Sequence, residues 1–124
     1  MAGKKDSVKD SERYSILVED LNHCYFCGSD QVHLHEVIHG TANRKKSKED
    51  GLVLPLCQFH HSEVHSKPDL DLRLKKIAER IWLDTYTYAG RNRDDRIVDF
   101  IKRYGINYLV YGRPLQRLRR LHAR

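Results

Sequence analysis

The sequence lacks a long apolar segment. Its longest apolar run, from Leu52 to Cys57, has six residues and contains Pro55, whereas a helix that crosses a bilayer needs about 20. The first ten residues carry charge but no apolar stretch of the kind found in secretory signals. We therefore expect a cytoplasmic protein with no membrane span.

Large apolar side chains are also few, with one Trp, one Met and three Phe. The core should therefore be modest, and 124 residues correspond to one ordinary domain rather than a two-domain enzyme. Residues 1–12 are polar and are expected to be disordered. We expect a single domain over residues 13–110 and a basic tail over residues 111–124.

Lys and Arg exceed Asp and Glu by 23 to 17, and the excess is concentrated in two clusters. One lies near the middle of the chain, and the other is an acid-free stretch at the end. Such clusters can contact the phosphates of a nucleic acid, although on charge alone a solvated surface is the simpler explanation. The candidate nucleic-acid-binding residues are Arg44, Lys45, Lys46, Lys48, Arg113, Arg117, Arg119 and Arg120.

Cysteine and histidine are concentrated in one stretch, because all three cysteines and seven of the eight histidines lie between residues 23 and 65. Cys24 and Cys27 form one ligand pair, and after 29 further residues Cys57 and His60 form a second. Thiolate and imidazole in two such pairs are typical of structural zinc. The sequence predicts a Cys₃His zinc site, with a redox-active or free cysteine pair as the alternative.

The periodicity of the apolar residues predicts an α+β protein. Val32, Leu34, Glu36 and Ile38 alternate with His33, His35, Val37 and His39, as in a strand. In chain order, the expected elements are a short helix over residues 13–21, a strand over 32–39, a polar loop over 40–51, a strand over 52–56, and helices over 57–65, 70–86 and 92–104.

His61 and His65 remain once His60 is assigned to zinc. They are four residues apart, so they lie on one face of the predicted helix, where two imidazoles can reach one further metal ion. A zinc-pinned strand, loop, strand and helix would bring the histidines of the strand against this helix. His33 and His39 could be ligands too, but exposed strand positions beside a site are more often polar surface.

These residues resemble the HNH endonucleases, whose fold is a ββα-metal unit. Within that superfamily the chain is most similar to small uncharacterised phage and prophage HNH proteins. The similarity spans roughly residues 16–110 and implies a zinc-stapled, treble-clef-like ββα-metal core with a C-terminal helical extension. It is carried by the ligand pairs and by residues 35–47, 51–53, 56–57, 70–75 and 104–109.

The resemblance implies a DNA endonuclease of a phage or its bacterial host. A single divalent cation, Mg²⁺, Mn²⁺ or another, would bind His61 and His65, and Asn43 would be the asparagine of the loop. In one register Glu36 occupies the position of the general base. In the other, His35 is the base and Glu36 is a ligand or a structural acid. We prefer the second, because an imidazole with a pKa near 6.5 suits general-base work at neutral pH.

Three functions are compatible with these residues. The leading one is a metal-dependent endonuclease that hydrolyses phosphodiester bonds of DNA, duplex DNA in the first place. The alternative is a non-catalytic zinc-dependent nucleic-acid-binding module, which the irregular position of Glu36 favours. A structural zinc staple in an interaction protein explains the cysteines but gives no reason for His35, His61 and His65.

Overall fold

The computed structural model describes residues 13–86 and 90–111. The proposed disorder of residues 1–12 lies outside this part of the chain, as does the tail beyond residue 111 with Arg113, Arg117, Arg119 and Arg120. The described elements, in chain order, are β1 (His33–Glu36), α1 (Arg44–Asp50), β2 (Val53–Leu56), α2 (Gln58–Ser66), α3 (Pro68–Thr85), α4 (Arg93–Tyr104) and a 3₁₀ turn (Tyr108–Val110).

The predicted α+β class is confirmed by these elements. β1 and β2 pair antiparallel, with His33 opposite Leu56 and His35 opposite Leu54. The side chains alternate along β1, so His33 is exposed and His35 is buried. All four residues of β2 are buried. The hairpin therefore directs one histidine of β1 into the molecule.

Helices α2, α3 and α4 are confirmed close to their predicted limits. Pro68 occupies the first turn of α3, where its missing N–H costs nothing. Asn92 and Asp95 form a reciprocal capping box at the start of α4, and Gly105 ends that helix in the left-handed conformation. None of the helices in the described residues has the length and apolar character needed to cross a bilayer.

The predicted helix over residues 13–21 is wrong. This segment instead runs along the hairpin, where the Ile16 N–H donates to the Gly51 carbonyl at 2.9 Å. The Ser15 hydroxyl donates to the Val53 carbonyl at 2.7 Å and accepts from the backbone of Leu17. Serine side chains that bond nearby backbone groups compete with helix formation. Long-range backbone contacts therefore outweigh the helical spacing of the apolar residues.

The predicted loop over residues 40–51 is also wrong in its second half, which forms α1. The buried residues of this helix are polar, namely Ser47 and Asp50. Ser47 donates from its hydroxyl to the Ile38 carbonyl and so attaches α1 to the end of the first strand. A helix that packs through polar groups leaves no apolar period in the sequence, so periodicity alone predicts a loop here.

Asp50 joins α1 to the two long helices. Its carboxylate accepts from the Trp82 indole at 2.8 Å, from the Tyr104 hydroxyl at 2.7 Å and from Arg103 Nε at 2.6 Å. Its backbone carbonyl accepts from the Tyr86 hydroxyl at 2.7 Å. These donors satisfy the hydrogen-bonding capacity of the buried carboxylate. The apolar part of the core includes Phe100, whose ring lies 5.2 Å from that of Trp82.

Glu79 on α3 is fully buried. Its Oε1 accepts from the Tyr108 N–H at 2.7 Å and so holds the 3₁₀ turn against α3, while its Oε2 has no hydrogen-bond partner in the described structure. Burial raises the pKa of Glu79 from its ordinary 4.5 to about 7, although the backbone N–H groups of the turn act in the opposite direction.

Gly51 is expected to tolerate no side chain. It ends α1 at φ +76°, and an added Cβ would lie 2.6 Å from Tyr14 Cε2 and 3.1 Å from Ile16 N. The left-handed conformation costs a non-glycine residue about 1–2 kcal/mol, and the overlap adds a similar amount. We expect Gly51→Ala to lower the free energy of unfolding by about 2–4 kcal/mol, measured by urea denaturation.

Gly105→Ala is the matched control for this substitution. Gly105 also ends a helix with a positive φ, +92°, but nothing lies within 4 Å of an added Cβ. Its substitution should therefore cost only the conformational part, about 1–2 kcal/mol. Equal losses in the two variants would show that the contact of residue 51 with Tyr14 and Ile16 is not restrictive.

The buried carboxyl of Glu79 should make stability depend on pH. The pKa of Glu79 is about 7 in the folded protein but 4.5 in its ordinary state. Between these two pH values the folded state therefore keeps a proton that the unfolded state has lost. Stability consequently falls as pH rises towards neutrality. From about pH 6 to about pH 8 we expect a loss of about 1 kcal/mol. Urea titrations of Glu79→Gln, which cannot ionise, should lack this decline; the same slope in both proteins would contradict the assignment.

Candidate metal centres

The three cysteines and His60 converge on one point. The ligand atoms of Cys24, Cys27, Cys57 and His60 all lie within 4.8 Å of one another. Cys27 Sγ is 3.8 Å from Cys57 Sγ, and His60 Nδ1 is 3.6 Å from Cys24 Sγ and 3.3 Å from Cys57 Sγ. Corners of a tetrahedron with metal–sulfur distances of about 2.3 Å are about 3.8 Å apart. This group, the Cys₃His centre, could hold a structural metal ion.

Backbone hydrogen bonds shape the first ligand pair. The Gly28 N–H donates to the Cys24 carbonyl at 2.9 Å, and the Cys24 N–H donates to the Ser29 carbonyl at 2.8 Å, so the chain turns sharply after Cys27. Gly28 has a φ of +79°, which glycine adopts without strain. The Tyr25 N–H donates to the Pro55 carbonyl and thereby attaches the turn to β2.

The second ligand pair opens α2. Cys57 is the N-cap residue, and its sulfur accepts from the His60 N–H at 3.5 Å. His60 follows in the first turn of the helix, which turns its ring towards Cys24 and Cys57. An N-cap residue normally accepts from the backbone N–H two or three residues on. The helix start itself therefore sets the distance between these two ligands.

The electrostatics of the Cys₃His centre suit a cation. Burial raises the pKa of Cys24, but the backbone N–H groups of Cys57, Cys27 and Phe26 point at its sulfur and bring the pKa down to about 6. For Cys27, the Ser29 N–H lowers the pKa, but desolvation and the neighbouring sulfurs of Cys24 and Cys57 raise it overall. Three thiols this close cannot all ionise without a positive charge between them.

A second group lies where β1 meets α2. The ligand nitrogens of His35, His61 and His65 lie within 4.8 Å of one another, and the Nε2 atoms of His61 and His65 are 3.1 Å apart. Two nitrogens bound to one ion at about 2.1 Å would be about 3.0–3.4 Å apart. The three rings, the His₃ group, line a cleft of about 150 Å³ together with Leu34, Glu36, His39 and Arg44.

His35 supplies the observation that tests whether a cation fits. Its side chain is only 3% exposed, and its Nε2 is buried without a hydrogen-bond partner in the described structure. Burial, together with the neighbouring rings of His61, His39 and His65, lowers the pKa of His35 to about 3. The ring is therefore neutral and offers an unused nitrogen, as a metal ligand must. The buried place of His35 inside the group favours ligation over the general-base role.

Glu36, the other candidate base, already forms an ion pair. Its carboxylate lies 2.9 Å from the Arg13 guanidinium, and the two side chains are 15% and 10% exposed. Although Glu36 borders the cleft, this ion pair attaches the start of the described chain to β1. The geometry favours the interpretation of Glu36 as a structural acid, which the sequence left open.

Asn43 does not line the cleft. It precedes α1, and its side-chain amide donates to the Tyr104 carbonyl at 3.3 Å, at the end of α4. Lys46 is used similarly, since its ammonium group donates to the Arg103 carbonyl at 2.7 Å. Lys45 lies 4.0 Å from Glu49. Of the four basic residues in α1, the one that borders the cleft is Arg44.

His39 and Asp71 form a pair that the sequence did not reveal. His39 Nε2 lies 3.0 Å from Asp71 Oδ1, and the other oxygen of Asp71 lies 2.9 Å from Lys75 Nζ. Burial raises the pKa of Asp71, but the hydrogen bonds from Lys75 and His39 lower it overall, so the carboxylate is ionised. His39 follows His35 by four residues, and this even spacing along a predicted strand indicates that both side chains lie on the same face. No sequence pattern indicates Asp71 as its partner, because Asp71 lies 32 residues away.

No protein-family model, curated protein or solved structure matches the chain. The resemblance to HNH endonucleases therefore stays a prediction from the motif residues.

Removal of one thiolate should release the metal of the Cys₃His centre. We expect Cys24→Ser to lose the ion and to unfold or precipitate, because structural zinc sites contribute roughly 10–16 kcal/mol of binding free energy to folding. Elemental analysis and circular dichroism of the purified protein measure both effects.

His23→Ala is the control for this variant. His23 is adjacent to Cys24 but pairs with Asp20 at 2.7 Å, outside the Cys₃His centre. It should retain both the metal and the helical signal. A Cys24→Ser protein that keeps its metal and melts like the parent would show that the four side chains do not form a metal centre.

Proposed function

We propose that the protein is a metal-dependent endonuclease that hydrolyses phosphodiester bonds of DNA. The observation that carries this proposal is the His₃ group, in which the ligand nitrogens of His35, His61 and His65 lie within 4.8 Å of one another at the edge of an open cleft. It is separate from the Cys₃His centre, which the proposal assigns to structural zinc. A protein that needed only a staple would have no use for a second group of ligands.

The His₃ group would hold a divalent cation between the end of β1 and the exposed face of α2. When bound, such a cation neutralises charge on a phosphate and on the departing oxygen, and it acidifies water. The buried Nε2 of His35 would gain the partner that it lacks. The pKa of His61 is lowered, by burial first and by His65 next, which keeps its ring available as a ligand.

Arg44 supports a phosphate-containing substrate. It is exposed and borders the cleft at the first residue of α1, and a guanidinium can bind two phosphate oxygens at once. Lys48 lies one turn further along the same helix. Because phosphates repeat along a nucleic acid, a cation site with adjacent arginine is suited to a polymer substrate. The proposed reaction does not depend on which nucleobases the DNA carries.

A non-catalytic nucleic-acid-binding module is the second candidate. The ion pair between Glu36 and Arg13 favours it, because it occupies the side chain at the position where the motif places a base. Under this alternative the His₃ group would only join β1 to α2. The two candidates differ in whether a bound cation makes the protein cut DNA.

His65→Ala should abolish cleavage without unfolding the protein. His65 is exposed on α2 and belongs to the His₃ group, so its removal costs a cation ligand and little packing. Since a catalytic cation contributes several kcal/mol to the transition state, we expect a loss of at least about 100-fold. Conversion of supercoiled plasmid to nicked or linear forms, with Mg²⁺ or Mn²⁺ supplied, measures the rate.

His33→Ala is the matched control. His33 lies on the same strand as His35 but is exposed and does not border the cleft, so this variant should cut like the wild type. A wild-type protein that shifts DNA in a gel, binds Mn²⁺ and leaves the plasmid intact would favour the non-catalytic module.

A further inference from the structure

The cleft contains a histidine that the His₃ group does not use. We infer that His39, oriented by Asp71, is the general base that accepts the proton of the attacking water. This inference rests on the proposed endonuclease function, because it assigns the proton-transfer role in that same cleft. It also separates two roles of histidine, since His35, His61 and His65 hold the cation and His39 handles the proton.

The position of His39 fits this role. Its ring borders the cleft and lies 5.8 Å from the ring of His35 and 5.7 Å from that of His65, measured between centroids. It is thus near the cation ligands without belonging to the His₃ group. Its side chain is 27% exposed, whereas His35 is buried. Water can therefore reach His39.

Asp71 determines which nitrogen of His39 carries the proton. An ionised carboxylate accepts hydrogen bonds and cannot donate them, so the Nε2 that faces it at 3.0 Å must be the N–H. The neutral ring then has its lone pair on Nδ1, the nitrogen that does not face Asp71. Asp71 is itself held by Lys75 one turn along α3 at 2.9 Å. This arrangement fixes both the tautomer and the orientation of the ring.

The proton transfer balances without any further reactant. As the water oxygen forms a bond to phosphorus, its O–H bond breaks and the proton moves to Nδ1 of His39. The bond from phosphorus to the departing ester oxygen breaks with its electron pair, and that oxygen takes a proton from solvent. His39 then returns its proton to solvent, and the positive charge that it carried meanwhile is stabilised by Asp71.

The test compares full-length, metal-loaded His39→Ala and Asp71→Asn with the wild type. Single-turnover cleavage of plasmid at saturating Mn²⁺ should fall at least about 100-fold in His39→Ala, and less in Asp71→Asn, which keeps the ring. The dissociation constant for Mn²⁺ should change by less than about threefold, because neither residue is a ligand. Added imidazole should accelerate His39→Ala and leave Asp71→Asn unchanged.

The chain supplies a control with the same chemistry. His23 and Asp20 form another histidine–carboxylate pair, 2.7 Å apart and more than half exposed, away from the cleft. His23→Ala should cut like the wild type and should not respond to imidazole.

The outcomes distinguish this inference from the proposal beneath it. A wild type that binds DNA but does not cut it removes both. If the wild type cuts and His39→Ala cuts equally well, the base is another group and only the inference fails. Loss of Mn²⁺ binding in His39→Ala would make His39 a ligand, and a slow variant that imidazole cannot accelerate would make its role structural. Both results would overturn the inference.

Discussion

The requirement that four ligand atoms share one small volume determines most of this structure. Cys24 and Cys27 come from a turn, and Cys57 and His60 come from the start of α2, so their convergence brings the turn, the hairpin and the helix together. The same helix start fixes the direction of His61, because successive residues of a helix differ by about 100°. One face of the first turn therefore serves the Cys₃His centre, and the next face serves the cleft.

The features that the sequence predicted correctly are those encoded by neighbouring residues. The spacing of Cys24, Cys27, Cys57 and His60 predicted that these four side chains converge, because ligand geometry restricts spacing. Helices α3 and α4 were predicted from Pro68, from the capping residues and from the apolar period, all of which act within one or two turns. The adjacency of His61 and His65 on α2 follows from their local spacing in the same way.

The features that the sequence did not reveal depend on polar contacts between distant residues. Helix α1 packs through Ser47 and Asp50, and residues 13–21 are held by Ser15 and backbone groups against the hairpin. The first arrangement leaves no apolar period, and the second overrides the helical spacing of the apolar residues. The pair of His39 and Asp71 joins the segment after β1 to the first turn of α3, and no local spacing encodes it. The preferred register made His35 the base, and that assignment stays a prediction, but the buried position of His35 suits ligation better.

The carboxylate of Asp50 imposes an order on the assembly of the molecule. Its partners Trp82, Arg103 and Tyr104 all follow it by more than thirty positions, whereas both ligand pairs of the Cys₃His centre are complete by residue 60. As the chain leaves the ribosome, the residues of the Cys₃His centre are all present while this carboxylate still lacks these partners. Arg103 and Tyr104 reach it only when α4 has been made, so the last α-helix of the described residues completes the burial of a charge made half a chain earlier.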